Sequence, residues 1–461
     1  MIYTTMGIPF YYKSLIRKYN YIETNVIPQN IDYFFIDYNG IIHPVAHSSV
    51  CIDNDEKSFL NLLWKKTKDI IHDVSPHTSH IMIDGVAPLA KVAQQRKRRY
   101  LSNKNTLWDT NAITSGTPFM QKLENHIRDQ CLTLENVVLN GSDISGEGEH
   151  KIFEMLNTIN NSTVVIHGLD ADLIMLSLLS TEINETNDIY LMREQNGESI
   201  TYISVKRLYS AIKTEWSDIF ENNTIYSYCV VMSLLGNDFI PHPLSLNLKN
   251  NGMKILMNAC KNIEQEIFES SDCININYES IKAILKNLLN HEDIYMKEEL
   301  NTEYTKKWRL NYYSKITMIN NVPLACKMFL DGLQWTYNYY NKKINKIDHG
   351  WYYPYNGVPS IQDLYNQLTT YSYSPMNTLE NFISNEIQLL IVIPKTSMSV
   401  LPVHLHKFMT EKRYGLTHMY PIKFQLCKFM KNYEWEYVPF LPSIDIEYMC
   451  DIMNRFSKES S

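Results

Sequence analysis

Seven carboxylates, Asp37, Asp84, Glu147, Glu149, Asp170, Asp172 and Asp238, stand where a charge needs a reason. Asp37 follows the apolar run YFFI, Asp84 follows IMI and Asp170 follows VVIHGL, so three candidate strands each end in an acid. A lone strand-end acid ordinarily caps the next helix. Glu147 with Glu149 and Asp170 with Asp172 form pairs two apart, however, and Asp238 interrupts the apolar string LLGNDFIPH. Buried carboxylates are costly unless paired or bound to metal. An oxygen-only donor set suits Mg²⁺ or Mn²⁺ better than a soft ion. Two such ions about 4 Å apart can activate a water and stabilise the departing oxygen of a phosphodiester. The expected cofactor is therefore Mg²⁺, as two ions, with Mn²⁺ able to substitute.

A second group is basic. The stretch AKVAQQRKRRY places Lys91, Gln95, Arg98 and Arg99 at i, i+4, i+7 and i+8, on one side of a helix soon after Asp84. Such a run is usually a solvated face. Beside a metal cluster it gains another use, because arginine grips phosphate bidentately and lysine adds a point charge. The patch is suited to one terminal monophosphate.

The elements that must hold these groups follow from hydrophobic patterning. Apolar strand candidates at 33–39, 80–85, 136–141 and 163–168 alternate with helical patterns at 56–72, 89–101, 117–130, 147–158 and 172–180. The expected fold is α/β, a mostly parallel central sheet with flanking helices, and ligands bind such sheets beyond the carboxyl ends of the strands. Residues 1–250 read as the α/β domain carrying the metal cluster, and 251–461 as a mainly helical second part packed on it. Within the latter, 274–298 reads as a polar, mobile surface region, and 351–360 as an ordered aromatic loop.

Bulk properties are permissive. With 461 residues, 44% hydrophobic and 20% charged, the chain can bury a large core without staples. Eight cysteines lack any CxxC or Cys/His zinc spacing and read as reduced thiols of an intracellular protein. Neither a secretory signal nor an apolar run of about 18 residues is present, so no membrane partner is expected. A net charge of −7 argues against a nucleic-acid partner, an objection that weakens if several acids are metal ligands.

Longer strings carry a family resemblance. MGIPFYYKSL at 6–15, FFIDYNGIIHP at 34–44, MIDGVAPLAKVAQQRKRRY at 82–100, SGEGEHKIFEML at 145–156, HGLDADLIML at 167–176 and LLGNDFIPHPLSL at 234–246 occur in the order of the Xrn-type 5′→3′ exoribonucleases. DGLQWTYNYY at 331–340 and WYYPYNGVPSIQDL at 351–364 resemble that family's helical and aromatic segments. The resemblance implies a PIN/FEN-like nuclease core and processive, two-metal hydrolysis of single-stranded RNA with a 5′ monophosphate, giving nucleoside 5′-monophosphates. All seven acids would be metal-site residues, and Lys91, Gln95, Arg98 and Arg99 the 5′-phosphate pocket. His43 and Trp335 would stack on the leading base, while Asn39 and His150 would orient ligands or phosphate from behind. A monomer in the cytoplasm rather than the nucleus, with a decapping factor as a partner, is the corresponding expectation.

The chain departs from the family at Ser145, where proline is usual, and at Phe10, where a basic residue is usual. Five residues precede Met6, and the segment between basic helix and NAITSGTPFM shrinks to about ten residues. A compact member without the extra C-terminal domains is expected. Two other classes share the acids: a structure-selective 5′ nuclease on DNA flaps, and a non-catalytic RNA-binding scaffold.

Overall fold

The computed structural model describes residues 8, 10–47, 56–102, 108–168, 170–195, 199–344, 347–375, 379–431 and 433–460. Met6, Gly7 and Pro9 of the N-terminal motif lie outside them.

Strand β2 (Tyr33–Asp37) shows how the sheet is specified. Its side chains alternate, so Phe34 and Ile36 enter one apolar cluster and Phe35 the other, and all three are fully buried. A strand buried on both faces reads as a continuous apolar run, which is what made YFFI conspicuous. The sheet runs β1-β7-β6-β5-β2-β3-β4, with β1 at Glu23–Thr24, β3 at Thr78–Met82, β4 at Val137–Asn140, β5 at Thr163–His167, β6 at Asp188–Gln195 and β7 at Ser199–Ser204. Strands β6, β5, β2, β3 and β4 pair in parallel, and β7 and β1 add an antiparallel edge. From β2 the chain moves outward through β3 to β4, then returns to the other side of β2 for β5 and β6. The strand order therefore reverses between β2 and β5, the place where α/β sheets open a crevice.

Helices α1 (Tyr11–Lys18), α2 (Asn39–Ala46), α3 (Glu56–Val74), α4 (Leu89–Leu101), α5 (Pro118–Cys131), α6 (Gly148–Leu156), α7 (Asp172–Ile183), α8 (Val205–Trp216) and α9 (Thr224–Ser233) surround this sheet. One cluster packs α2, α3 and α5 on the Phe34 face; the other packs α6 to α9 on the Phe35 face. Beyond them lie α10 (Gly252–Cys260), α11 (Tyr278–Glu298), α12 (Lys306–Asn311), α13 (Val322–Tyr340), α14 (Ile361–Gln367) and α15 (Asn385–Val392). The Phe35-side cluster continues through α10, α11 and α13 to Leu368, and a third joins α4 to α15 and the C-terminal segment.

The expectation of a mobile surface at 274–298 is corrected. Residues Tyr278–Glu298 form a 21-residue helix whose Ile281, Ile284, Leu285, Leu288 and Tyr295 are buried, a helical stripe hidden among polar neighbours. Residues 351–360 carry no helix or strand, and Trp351 and Tyr353 anchor them in the core. Seven cysteines are free, and Cys51 lies outside the described residues. Among the described residues no helix is long and apolar enough to cross a membrane.

Candidate active site

Asp37 ends β2, and Asp84 lies two residues beyond β3. Between them sits Gly148, the first residue of α6. A Cβ there would lie 3.3 Å from Asp37 Oδ1, 3.3 Å from Asp84 Oδ1 and 3.0 Å from the Met82 carbonyl. Glycine lets the positive end of α6 come up against both acids, and the Gly148 N–H donates to Asp84 at 2.6 Å. The Asn39 amide donates to the other oxygen of Asp84, holding the carboxylate from α2.

Glu147 and Glu149 flank Gly148, and both are buried. Across the crevice, Asp170 follows β5 and Asp172 opens α7, with the Asp172 N–H 3.3 Å from Asp170 Oδ1. Asp238 is presented by the turn after α9. Gly236 adopts φ +81 against the His242 backbone, and Asn237 Oδ1 accepts the N–H groups of Phe239 and Ile240. Donor atoms of Asp170, Asp172 and Asp238 lie within 4.8 Å of one another, as do those of Glu147, Glu149 and His150. The ends of β2, β3 and β5, the starts of α6 and α7 and a distant turn thus bring all seven acids into one crevice.

Their electrostatics follow from crowding in a dry place. Burial first, then neighbouring carboxylates, pushes Asp37, Glu149 and Asp172 well above the usual carboxylate range. Burial also raises Glu147 to about 7 and Asp170 to about 6, with Lys91 opposing in both. The Glu149 Oε1 and Asp172 Oδ2 atoms are buried with no hydrogen-bond partner among the described residues. Such an all-oxygen set with unmet acceptors fits hard divalent cations.

Lys91 is placed differently from the single phosphate patch that helical spacing suggests. It is 2% exposed and lies inside the acid cluster, 2.9 Å from Glu147 Oε2 and 3.1 Å from Asp238 Oδ2. Burial pulls its proton affinity down, but the acids around it overcome that and keep the ammonium charged. Arg98 and Arg99 lie two turns further along α4, about 10 Å at 1.5 Å per residue. Arg99 donates to the carbonyls of Thr110 at 3.1 Å and Ile113 at 2.5 Å, so it also braces the loop after α4. Gln95 is half-buried between these points. The half-buried His43 of α2 is held neutral, its pKa pushed down to about 3 by burial and then by Arg99 and Arg98.

Trp335, expected to stack on the leading base, sits on α13. The residue is 5% exposed, its ring stacked on Tyr339 at 5.1 Å and Trp351 at 4.9 Å, and its N–H donates to the Asp348 carbonyl at 2.8 Å. Trp335 is thus packed one helical turn before Tyr339, whose hydroxyl reaches Glu147.

The same helix supplies groups that sequence reading missed. The Tyr339 hydroxyl donates to Glu147 Oε1, and the Tyr340 hydroxyl donates to Asp172 Oδ1 at 2.8 Å. Just beyond, the Lys342 ammonium lies 2.6 Å from His150 Nδ1. A lysine can only donate, so the neutral ring keeps its one proton on Nε2. His150 Nε2 is buried and without a partner among the described residues, and in this tautomer it offers a hydrogen to an incoming oxygen rather than a lone pair to a metal. The signal available in sequence was the pair of tyrosines in a buried helix, whose hydroxyls must find partners.

Two profiles of known families match this chain. The one described as XRN 5'-3' exonuclease N-terminus covers residues 6–107 and 101–195, and the one described as Xrn1 helical domain covers 301–461. The human 5'-3' exoribonuclease 1 is 25% identical over 97% of this chain and 34% of its own length. The 5'-3' exoribonuclease 2 of Candida glabrata is 28% identical over 66% of this chain and 40% of its own. The chain thus spans less than half the length of these relatives. Among solved structures, the catalytic core of Rad2 in complex with DNA substrate overlaps 82% of this chain and 98% of that one, at 13% identity and a TM-score of 0.35, too loose a match to carry weight. Six of the seven acids and the whole of α4 fall inside the N-terminal match, and Tyr339, Tyr340 and Lys342 inside the helical one; the chain belongs to the XRN 5′-3′ exonuclease family.

Proposed function

We propose that the chain is a 5′→3′ exoribonuclease that hydrolyses single-stranded RNA bearing a 5′ monophosphate and releases nucleoside 5′-monophosphates processively. The observation that carries this reading is the juxtaposition of seven carboxylates with a basic helix whose Lys91 reaches in among them. Two Mg²⁺ ions, or Mn²⁺ in their place, held by Asp37, Asp84, Glu147, Glu149, Asp170, Asp172 and Asp238 would supply the activated water and steady the leaving oxygen. The chain's own groups do the rest. Asn39 and the Gly148 N–H fix Asp84, while Tyr339 and Tyr340 fix Glu147 and Asp172. The His150 Nε2–H donates to a phosphate oxygen. Gln95, Arg98 and Arg99 receive the terminal phosphate, and neutral His43 lies against the first base. A pocket for a terminal phosphate sets the direction, since an internal phosphodiester cannot enter it.

The halves 1–250 and 251–461 act as one unit in this reading, supported by the apolar cluster common to both. One chain carries every group named, so a monomer suffices. An upstream step must supply the 5′ monophosphate, as cap removal by a decapping factor would, and the free cysteines suit a reducing cytoplasm.

A time course on 5′-phosphorylated and 5′-hydroxyl RNA and on flapped DNA, with Mg²⁺ or with chelator, tests this. Mononucleotides appearing without ladders, from phosphorylated RNA only and only with Mg²⁺, are expected. Internal cuts, equal cutting of DNA flaps, or activity in chelator would overturn it.

A further inference from the structure

Away from the acids, α1 and the segment around α10 border a groove of about 740 Å³ with a basic rim. Lys13, Arg17 and Lys18 come from α1, and Lys249, Lys254 and Lys261 from the opposite wall; all six are exposed. An adjoining groove of about 560 Å³ shares Lys18 and Glu215 with the first and adds the exposed Lys206 and Arg207 of α8. Glu215 is the one acid lining either groove, and it pairs with Lys18 at 2.7 Å. Among the described residues no carboxylate pairs with Lys13, Arg17, Lys254 or Lys261. On a chain of net charge −7, this gathering of cations is self-repelling and calls for a polyanion.

Aromatic rings point to the class of polyanion. The Lys249 ammonium lies 4.4 Å from the ring centres of both Phe10 and Tyr433, and Tyr433 is 47% exposed. Tyr21, 55% exposed, lines the second groove. Cations that follow a phosphate backbone beside rings on which bases stack are the arrangement that holds single-stranded nucleic acid. Tyr12, next to Lys13, carries the Arg193 guanidinium 4.3 Å from its ring centre, and Arg193 feels the charge of Asp170.

We infer that this surface is a second binding site for single-stranded RNA, taking the part of the strand downstream of the 5′ end held at the acids. The identity of the polymer rests on the RNA reading proposed above. The site makes affinity depend on RNA length, because a short strand fills the crevice alone and a long one also covers the groove.

Fluorescence anisotropy of the full chain in chelator tests this without hydrolysis. The probes are 5′-monophosphorylated oligouridylates of about 6 and about 30 nucleotides, shorter and longer than crevice plus groove can cover. The wild type should bind the long RNA more than about tenfold tighter than the short one at about 0.1 M salt. In the combined variant Lys13→Gln, Arg17→Gln, Lys254→Gln, Lys261→Gln that ratio should collapse to within about threefold, and the slope of log affinity against log salt for long RNA should fall by about 3, at about 0.7 per lost contact. An unchanged ratio, or short and long RNA weakening together, overturns the inference. So does displacement of long RNA by a polyglutamate peptide as readily as by unlabelled RNA, which would make the groove a peptide site. The parent reading fails separately: groove-dependent binding of long RNA with no Mg²⁺-dependent hydrolysis would sink the nuclease and leave the groove. Hydrolysis of short RNA with no length dependence in binding would sink the groove alone.

Discussion

Lys91 puts a cation in contact with Glu147 and Asp238, two of the carboxylates proposed to hold metal, so the charge balance of the crevice is set partly by the chain itself. Burial and mutual repulsion raise Asp37, Glu149 and Asp172 even with Lys91 among the acids, so their crowding works against the fold's stability. Asp172→Asn keeps the oxygen that accepts from Tyr340 and removes only the charge. It should lower turnover by about 100-fold or more, the scale of losing one preorganised electrostatic contact, while thermal melting monitored by circular dichroism stays at or above the wild-type midpoint. Full activity in that variant would remove Asp172 from the metal site. Arg99 also braces carbonyls of the following loop, so replacing it would disturb that loop as well as the patch. Arg98→Ala should reduce the preference for 5′-phosphate over 5′-hydroxyl RNA by roughly tenfold, about the worth of a hydrogen bond to a charged group; an unaltered preference in competition assays would reject the phosphate role. The acids were legible because a charge that ends a doubly buried strand is conspicuous. The Lys91 ion pairs were not, since helical spacing reports which face a side chain shares and not what lies opposite that face. Tyr340 to Asp172 and Lys342 to His150 span 168 and 192 residues, and no local pattern encodes such pairings.

At the scale of elements, α13 is the second wall of the crevice, because two successive hydroxyls at its end bond acids from α6 and α7. Tyr340→Phe deletes one of these bonds and keeps the ring. Loss of such an outer partner typically weakens metal binding or activity by about 10- to 100-fold, so the Mg²⁺ concentration for half-maximal activity should rise while the melting midpoint holds; an unshifted Mg²⁺ dependence would show that the hydroxyl does not position Asp172. Helix α11 offers a test of stability away from the site. Glu292, 2% exposed, accepts the Ile361 N–H at 2.9 Å, and burial pushes its carboxyl up to about 8 from an ordinary 4.5. A folded-state pKa above the unfolded one means that its favourable contribution is complete below about 4.5 and is lost as pH rises through about 8. Glu292→Gln carries no such proton, so its denaturation midpoint should change less than the wild type's between pH 5 and about 8.5; parallel curves would contradict the assignment. Elements with clean periodicity were legible, as α4 at 89–101 shows. The hairpin of β6 and β7 was not, because its polar edge residues dilute the apolar run, and α11 was hidden by Asn and Glu around its buried stripe.

At the scale of the whole molecule, the basic helix is held from the side opposite the crevice by the second half of the chain. The Leu89 N–H that opens α4 donates to the His349 carbonyl at 2.9 Å, and the Ala87 N–H just before it donates to Gln388 Oε1 at 2.9 Å. Arg96, 3% exposed, donates to the carbonyls of Met419 at 2.8 Å and Pro442 at 2.7 Å, while Leu89 and Val92 pack with Leu389, Leu390 and Met449. The composition change near residue 250 therefore does not mark a border between independently stable cores. A chain ended there would expose the apolar back of α4, leave Arg96 without its carbonyls, and remove Tyr339 and Tyr340 from the acids. Each fully buried aliphatic side chain lost to water costs about 1.5–3 kcal/mol, and several such losses exceed the roughly 5–15 kcal/mol that stabilises a typical domain. Residues 1–250 produced alone should give a collapsed, dye-binding state with poor amide dispersion in heteronuclear NMR and no Mg²⁺-dependent hydrolysis. Mixing with separately produced 251–461 should restore dispersion only if the two associate before either aggregates. A fragment 1–250 that is well dispersed and active alone would show that the second half shapes neither α4 nor the crevice.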